Sequence, residues 1–444
     1  MTRSMTWVKT WMKVLDRHAF WVIWIAGTAL RLAQILASRP HLGRDLSELE
    51  LTARSVILHG TLGNPYLRET GPGAHVAPVA PLLLAALYAI FGMEGAGQIA
   101  QRFAGALAAS AQYALLPAAA EALGLRRTVG IAAGLLGALI PYKGYIETVD
   151  TPWEQPYVAL VCVLLFVHTA RYWKSGGSAV MRGVYWGLAI LLSPTFLPVF
   201  LVVLVYELAH EYVSQKRKGR EGAAPSGTGT RRLVAPERVR FARVPQKRKE
   251  ALLVTMLCSV LVLLPWIARN WVQLGGLVPV RTNFGLEFSL SNREGARPLM
   301  EDNVSRGEFT QFHPAHNEAE WRKLREQGEL AYNHELRRAA LLEVMRDPLR
   351  FLQVTGERVW RFWLWPSHRT GTMLATLLFT ILGVAGVRKV PASDARTLLG
   401  LILLAYPLVY YVIQVDRRYR YPLEWIFLVG AAALVMEKLG RRVS

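Results

Sequence analysis

Acidic side chains after the first apolar stretch are the first candidates for chemistry. Asp45 precedes Leu46-Ser47-Glu48-Leu49-Glu50-Leu51-Thr52-Ala53, a pattern that predicts a short amphipathic helix. Asp is a favoured N-cap, and Glu48 three residues on completes a capping-box pattern, so Asp45 has a structural interpretation. A single carboxylate is also the group that a general base requires. We treat Asp45 as a candidate base and Glu48 as a candidate substrate-binding residue, roles that are compatible with capping.

A second acidic group follows a single lysine further along the chain. Lys143 is followed by Glu147, Asp150 and Glu154, three carboxylates within eight positions. Such a group can bind a divalent ion, orient a sugar or simply solvate a loop. The spacing does not identify a metal site, because calcium and magnesium need further oxygen ligands. Solvated loop acids are an equally good interpretation.

Basic side chains near the ends of apolar segments are candidates for binding phosphate. The planar guanidinium of Arg donates two hydrogen bonds to one phosphate at once. A lone Arg at a membrane edge more often contacts lipid headgroups, so no single one is diagnostic. His75, just before Pro78, is a possible substrate contact, although a lone loop histidine is more often structural. The arginines in question are Arg102, Arg269, Arg281, Arg417, Arg418 and Arg420.

Composition indicates that these residues belong to a membrane protein. Residues AVILMFWYC form 52% of the 444 and only 19% are charged, which is unusual for a soluble protein. About half of the net charge of +20 lies in 216–249, which holds twelve basic and two acidic residues. A basic loop between apolar segments is typical of a cytoplasmic loop and not of a nucleic-acid groove. Cys162 and Cys258 lie in separate apolar runs, which favours neither a disulfide nor a zinc site.

The apolar segments predict an all-α integral membrane protein. The segment 20–30 follows four basic residues and predicts a retained anchor with a cytoplasmic N-terminus, from which Arg31 snorkels outward. A span needs about 20 helical residues, so several of the later segments are short. They are 78–92, 98–123, 128–142, 155–172, 183–193, 194–211, 251–268, 371–387, 396–415 and 421–437.

The basic flanks of these segments predict an orientation. All five basic flanks are cytoplasmic if 78–92 is a surface or re-entrant helix, which gives about ten spans with both termini inside. These flanks are Arg126/Arg127, Arg171/Lys174/Arg182, the loop 216–249, Arg388/Lys389 and Lys438/Arg441/Arg442. In the alternative, 78–92 crosses and 183–211 forms one bent helix, but two basic flanks are then exported. The preferred topology leaves two outer-face regions, 39–77 and 269–370. A carboxylate held near lipid is costly and is usually retained for a task, so these regions are where function is expected.

Three regions follow from this topology. Residues 1–268 form an N-terminal transmembrane module with the outer loop 39–77 and the basic cytoplasmic loop 213–250, and 371–444 form C-terminal transmembrane helices. The outer-face region 269–370 contains a predicted helix over 317–345, ended by Pro348, and an amphipathic helix over 351–365. The second is rich in Trp and Arg and is expected at headgroup level, where Trp360, Trp363 and Trp365 form an aromatic belt or line a lipid groove.

An ordered set of motifs resembles the polytopic bacterial glycosyltransferases of the GT-C fold, which use polyprenyl-phosphate sugars and are related to protein O-mannosyltransferases and aminoarabinose transferases. Asp45 with Ala53 resembles the family's first outer-loop motif, with Leu49 in place of the usual Tyr. The remaining motifs are His75-Val76-Ala77-Pro78-Val79-Ala80-Pro81-Leu82, Gly187-Leu188-Ala189 with Ser193-Pro194-Thr195, Pro265-Trp266-Ile267-Ala268-Arg269-Asn270 with Gly276, Pro279, Thr282-Asn283, Gly285 and Ser291-Asn292, and Arg418-Tyr419-Arg420-Tyr421-Pro422.

The resemblance implies a polytopic GT-C-like bundle in a bacterial plasma membrane with its active site on the outer face. It implies transfer of a hexosyl or pentosyl group from a polyprenyl-phosphate carrier to an outer-face glycan, lipid or protein, with inversion. Asp45 is then the base, and Arg269 and Arg418 hold the phosphate. A phosphate leaving group needs charge stabilisation more than a general acid, so one carboxylate suffices. No cofactor is required by this chemistry, and the sequence leaves metal dependence open.

Further residues receive supporting roles under the same resemblance. Glu147 and Glu154 are expected to position sugar or acceptor, and Lys143 to add positive charge at the leaving phosphate. The other candidate substrate-binding residues are Glu48, His75, Arg102, Asp150 and Arg420.

Two other classes of function are weighed against the enzyme. A lipid or sugar transporter or flippase predicts paired ionisable residues near the midplane of several spans, whereas most charges here lie at span ends. A scaffold whose 269–370 region docks a partner predicts that Asp45→Asn is harmless while changes on the outer face of the 317–345 helix are not.

Overall fold

The computed structural model describes residues 2–38, 46–140, 153–221 and 245–440, and these ranges are almost entirely helical, with isolated bridges but no β-strand. The α-helices in order are α1 Thr2–Ser38, α2 Glu48–His59, α3 Val79–Phe91, α4 Ala96–Ala114, α5 Leu116–Ala122, α6 Arg127–Leu139, α7 Gln155–Ser175, α8 Ala179–Leu192, α9 Phe196–Glu221, α10 Pro245–Leu274, α11 Phe284–Asn292, α12 Met300–Ser305, α13 Glu308–Phe312, α14 Glu318–Gln327, α15 Glu329–Arg346, α16 Pro348–Leu364, α17 Thr370–Val387, α18 Asp394–Ala405, α19 Leu408–Val412 and α20 Glu424–Lys438. Two 3₁₀ turns, Arg417–Tyr419 and Tyr421–Leu423, precede α20.

Five helical segments of the described chain are long and apolar enough to cross a membrane: Arg17–Ala37, Ala96–Ala122, Gln155–Ser175, Lys249–Leu274 and Asp394–Val412. Four shorter apolar helices accompany them, namely Val79–Phe91, Arg127–Leu139, Ala179–Leu192 and Met373–Val387. The chain is therefore a multi-pass, all-α membrane protein. Its predicted number of about ten spans stays a prediction.

Most of the predicted apolar segments coincide with one helix each, and short breaks divide the others into two helices. Ser193-Pro194-Thr195 separates α8 from α9, with Ser193 Oγ and Thr195 Oγ1 2.8 Å apart, so residues 183–211 do not form one continuous helix. α3 has 13 residues, which at 1.5 Å per residue is about 20 Å and shorter than the bilayer core.

Glycines allow the closest helix contacts in the bundle. α17 packs against α20, and a Cβ added to Gly383 would lie 2.6 Å from the Cα of Phe427. α8 packs against α10 in the same manner, since a Cβ at Gly183 would lie 2.6 Å from the Cβ of Cys258. Small residues of this kind let helix backbones approach within the bilayer, where burial of apolar surface does not by itself drive association.

The prediction that Arg31 snorkels outward is wrong. Arg31 is 4% exposed, and its guanidinium donates to the carbonyl oxygens of Gly27 (3.1 Å), Ala138 (3.2 Å) and Gly137 (3.4 Å). These bonds satisfy carbonyls at the C-terminus of α6, which packs on α1. The unpaired carbonyls of a helix end are strong acceptors for a cation, so the charge is stabilised inside the bundle.

The region 269–370, predicted to lie on the outer face, is built from short helices that pack on one another. The single helix predicted over 317–345 is interrupted at Gly328, which has φ 82° and separates α14 from α15. α16 has the predicted amphipathic character, but its polar side is partly turned inward: Arg358 is fully buried, whereas Leu349 and Leu352 are more than 60% exposed. This arrangement suits a helix whose apolar face contacts lipid.

Candidate functional site

The site begins at the N-terminus of α2. Ser47, and not Asp45, caps this helix: its Oγ accepts a hydrogen bond from the backbone N–H of Glu50 at 3.3 Å. Ser47 has the extended backbone and the side-chain oxygen that an N-cap needs, while Asp45, the predicted cap, lies outside the described residues. Glu48 is the first helical residue, and its carboxylate lies in the favourable field of the helix N-terminus.

Two histidines from distant parts of the chain contact the Glu48 carboxylate. His75 Nε2 lies 3.0 Å from Glu48 Oε2, and His313 Nε2 lies 3.5 Å from Glu48 Oε1. The His75 contact is an ion pair without the angle of a hydrogen bond. The ring of Tyr66 stands edge-on to both imidazoles, with centroids 5.4 Å from His75 and 5.5 Å from His313. We name these four residues the Glu48 cluster.

Charges are distributed unequally in the Glu48 cluster. Burial alone would raise the pKa of Glu48, but His75, His313 and Arg281 outweigh it and lower this pKa to about 2. Burial would lower the pKa of His75, whereas the carboxylate of Glu48 raises it above 6.5. Burial lowers the pKa of His313 to about 4. The cluster thus holds an ionised Glu48 beside a readily protonated His75 and a neutral His313.

The tautomer of His313 agrees with this assignment. Its Nδ1 accepts a hydrogen bond from the backbone N–H of Ala315 at 3.1 Å, so Nδ1 carries no proton. A neutral ring then has its proton on Nε2, which faces Glu48.

A network around Ala74 fixes His75 and Arg281 relative to each other. The carbonyl of Ala74 accepts the N–H of Thr282 at 3.0 Å, and Glu329 Oε1 accepts both the N–H of Ala74 at 2.8 Å and the hydroxyl of Thr282. Arg281 Nε donates to the carbonyl of His75 at 2.9 Å. The loop between α2 and α3, the segment after α10 and the start of α15 are joined at this point.

Arg281 extends the Glu48 cluster toward the C-terminal part of the chain. Its Nη1 lies 3.5 Å from Oε1 of Glu154, the residue before α7. Arg418 stands in the first 3₁₀ turn, which Asp416 caps through the N–H of Arg418 at 2.9 Å. The Arg418 guanidinium lies 3.7 Å from the ring centroid of Trp153 and its Nε 3.8 Å from Asp416 Oδ1. Burial alone would lower the pKa of Arg418, and Tyr419, Asp416 and Glu154 raise it.

Glu287 on α11 lies among these groups. Its Oε2 is buried without a hydrogen-bond partner in the described chain. Burial raises the pKa of Glu287 and the neighbouring Glu48 raises it further, while His75, Arg281 and Arg418 act in the opposite direction. Glu48 and Glu287 are therefore two buried carboxylates whose pKa values are shifted in opposite directions.

Three predicted site residues have other contacts. Arg269 donates to the carbonyls of Gly73 (2.7 Å) and Leu62, to Asn270 Oδ1 (3.0 Å) and to Thr61 Oγ1 (3.3 Å). Arg420 is 1% exposed and donates to the Trp363 carbonyl (2.8 Å) and Thr380 Oγ1 (2.7 Å), with Glu424 at 3.1 Å. Arg102 donates to the carbonyl of Gln98 on its own helix at 3.1 Å.

The remaining predicted residues are outside what the structure describes. Asp45, Lys143, Glu147 and Asp150 belong to this group. Within the described ranges, no set of three or more His, Cys, Asp or Glu side chains is arranged to hold a metal ion. Of the predicted residues, Glu48, His75, Glu154 and Arg418 are brought into one region of the molecule.

Several residues of this region were not selected from the sequence. Tyr66, Glu287, His313 and Trp153 belong to no recognisable motif, and each is an ordinary loop or helix residue by its local pattern. Arg281 was recognised only as one of several outer-face basic residues.

The described chain is thus a bundle of apolar helices with charged side chains gathered where several of its loops meet. Comparison with solved structures finds the same fold in other membrane proteins. No family model matches the chain, and no curated protein sequence matches it.

Similar structures include those of the oligosaccharyltransferase AglB from Archaeoglobus fulgidus. The complex with an inhibitory peptide and a dolichol-phosphate has a TM-score of 0.54 at 13% identity, covering 96% of this chain and 51% of that one. The form tethered to an acceptor peptide with the NVT sequon has a TM-score of 0.54 at 14% identity, covering 96% and 50%. The apo form has 0.54 at 12% identity, covering 97% and 52%. This chain spans about half the length of those proteins, and the likeness establishes the fold.

Proposed function

We propose that this protein is a membrane glycosyltransferase that moves a sugar from a polyprenyl-phosphate carrier to an acceptor on the outer face of a bacterial plasma membrane. The acceptor is a glycan, a lipid or a protein, and the sugar is a hexose or a pentose. The shared fold supports this class, because the similar oligosaccharyltransferase was solved with a dolichol-phosphate and with an acceptor peptide. Fold alone does not define activity, which depends on the residues of the site.

The observation that carries the proposal is the gathering of ionised groups between the outer loops. Glu48, His75, Glu154, Arg281 and Arg418 come from five separate segments, and the ion pairs Glu48–His75 and Glu154–Arg281 measure 3.0 Å and 3.5 Å. Burying so many charges without a task is costly. Asp45 is three residues before Glu48, and three residues of chain span at most about 11 Å.

The proposed reaction is a single inverting displacement. The acceptor oxygen forms a bond to the anomeric carbon while the bond from that carbon to the phosphate oxygen breaks, and its electron pair goes to the phosphate. Asp45 takes the acceptor's proton as general base. Arginine guanidinium groups stabilise the phosphate as it gains its second negative charge. Glu147 and Glu154 position sugar or acceptor, and Lys143 adds positive charge near the phosphate.

The test is release of polyprenyl phosphate by the purified full-length protein in lipid nanodiscs. A panel of polyprenyl-phosphate sugars is supplied with an outer-face acceptor fraction, and wild type is compared with Asp45→Asn. The matched control is Asp302→Asn, which removes a carboxylate paired with His368 at 2.8 Å on the protein surface. Loss of a general base is expected to slow release about 100-fold or more, because such catalysis contributes factors of this size.

The outcomes separate the parts of the proposal. Release by wild type and by Asp302→Asn, with near-abolition in folded Asp45→Asn, supports the class and the base. Equal release by all three proteins removes Asp45 as base and leaves the carboxylates of 147–154 for testing. Wild type that releases nothing from any donor contradicts the transferase and favours a transporter.

A further inference from the structure

Arg281, Glu154 and Arg418 form an arrangement that the resemblance does not predict. Arg281 Nη1 lies 3.5 Å from Glu154 Oε1, and the guanidinium of Arg418, from a distant segment, lies over the ring of Trp153, the residue next to Glu154. Arg281 contacts Glu154 directly, and Glu154 contributes to the charge around Arg418. We name these three residues the arginine pair with its carboxylate.

Arg269, the arginine that the resemblance favours for phosphate, is already engaged. Its two terminal nitrogens donate to the carbonyls of Leu62 and Gly73 and to the side chains of Thr61 and Asn270. The backbone carbonyls of Leu62 and Gly73 are fixed by the fold, so an arriving anion does not displace them from Arg269. A guanidinium with this set of partners connects the end of α10 to the first outer loop and has few donors left for a ligand.

Arg281 differs from Arg269 because its Nε contacts a backbone carbonyl, whereas its terminal nitrogens contact none in the described part of the chain. Nε is held by the carbonyl of His75 at 2.9 Å, which fixes the direction of the guanidinium. Nη1 reaches Glu154 at 3.5 Å, a long contact for oppositely charged groups, which normally approach to about 2.8 Å. No hydrogen bond from Nη2 is present within the described ranges. The side chain is 19% exposed, so an anion can reach it.

Arg418 is fixed by other means. Its guanidinium lies over the ring of Trp153 at 3.7 Å, and its ion pair with Asp416 is long at 3.8 Å. The Nε of Arg418 is buried without a hydrogen-bond partner in the described chain. Stacking on an aromatic ring holds a guanidinium by its face and does not use its N–H donors, although Tyr419 also contacts this guanidinium.

We propose that Arg281 and Arg418 together bind the phosphate of the lipid-linked donor, and that Glu154 is the counter-ion they share until the donor arrives. This inference rests on the proposed function. A phosphate offers several oxygens to two guanidinium forks, where one carboxylate offers two. As the sugar leaves, the phosphate gains charge, and both arginines then bind it more strongly. Displaced Glu154 remains beside the transferred sugar.

A competing role and a structural role for Glu154 predict opposite effects of Glu154→Gln on phosphate binding. If Glu154 competes with phosphate, Glu154→Gln strengthens phosphate binding, by about 3- to 10-fold for an ion pair of this exposure. If Glu154 only supports the structure, the same substitution weakens binding. Arg281→Gln removes a charged hydrogen-bond donor and is expected to weaken binding roughly 10- to 100-fold. Arg281→Lys keeps the charge without the fork and is expected to lie between the two.

The experiment measures binding of farnesyl phosphate to full-length protein in nanodiscs by isothermal titration, with no sugar transfer involved. Farnesol tests binding by the prenyl tail alone, and inorganic phosphate tests for a site that takes the free anion. Arg338→Gln, on the exposed face of α15, is the matched control for loss of one positive charge. Unfolding midpoints show whether each variant is folded.

Tighter binding by Glu154→Gln and weaker binding by Arg281→Gln, with Arg338→Gln unchanged, is the expected result. The proposal is overturned if folded Arg281→Gln binds farnesyl phosphate like wild type, if Glu154→Gln binds more weakly, or if wild type does not bind the probe. Equal binding of farnesol also overturns it. Inorganic phosphate bound as tightly as farnesyl phosphate would assign the arginine pair to free phosphate and overturn the lipid donor. Wild type that binds farnesyl phosphate as expected but transfers no sugar contradicts the proposed function and leaves the phosphate site standing.

Discussion

The substitution Glu48→Gln tests whether the Glu48 cluster stabilises the outer loops. The pKa of Glu48 is lowered from 4.5 to about 2 because His75, His313 and Arg281 outweigh the cost of burial. A difference of one pKa unit corresponds to about 1.4 kcal/mol, so the ionised carboxylate is favoured by about 3 kcal/mol in the folded protein. The side chain is 23% exposed, which leaves most of this interaction unscreened. Gln has the same shape without the charge, so we expect Glu48→Gln to lower the free energy of unfolding by about 3 kcal/mol.

The effect depends on pH in a defined direction. The folded pKa of Glu48 is below its unfolded value, so its contribution is present above about pH 4.5 and is lost as pH falls toward 2. The folded pKa of His75 is above 6.5, so its contribution is present below pH 6.5 and is lost as pH rises through the folded value. The contributions of Glu48 and His75 describe the same ion pair, so the two free energies are not added together. The difference between wild type and Glu48→Gln should therefore be largest between about pH 4.5 and 6.5.

The assay is denaturant unfolding of the full-length protein in detergent, followed by intrinsic fluorescence at pH 6 and at pH 3. The matched control is Glu335→Gln, since Glu335 is 50% exposed and pairs with Lys323 at 2.7 Å on the surface. An exposed pair of this kind contributes less than about 1 kcal/mol. The reasoning is refuted if Glu48→Gln is no less stable than the control at pH 6, or if its deficit grows at pH 3.

Two further substitutions test the packing of the bundle. Arg420→Met should lower the free energy of unfolding by about 3–5 kcal/mol, because Glu424, 3.1 Å from Arg420, is left buried without its partner. Adding Glu424→Gln to this variant should restore part of the loss in the same unfolding assay. Gly383→Ala should cost about 1–3 kcal/mol, because the added Cβ would lie 2.6 Å from the Cα of Phe427. Gly400→Ala, which has open space around it, should be neutral or stabilising, and equal unfolding midpoints for the two alanine variants would contradict the close contact of α17 and α20.

The positions of the helices were largely predictable because the relevant information is local. Apolar runs of the right length predicted α3, α6, α7 and α17 to within a few residues. The amphipathic pattern of 351–365 likewise predicted α16. The helix predicted over 317–345 was wrong at Gly328, where a backbone with φ 82° ends one helix and begins the next.

The chemistry of individual side chains was less predictable, because it depends on partners far along the chain. Arg31 at the end of an apolar run predicts a snorkelling residue, yet carbonyls of α6 bind it inside the bundle. Arg269 stands in the strongest motif, yet its donors are used by the first outer loop. Asp45 precedes a helix as a cap would, yet Ser47 provides the cap.

The sequence by itself determined that this is a multi-pass helical membrane protein, because hydropathy and helical periodicity are properties of short segments. Only the tertiary structure decided that His313 faces Glu48, that Arg281 reaches Glu154 and that Arg418 stacks on Trp153. Each of these contacts joins segments separated by several helices. Their proximity is set by the packing of the whole bundle and the hydrogen bonds around Ala74, which no local pattern encodes.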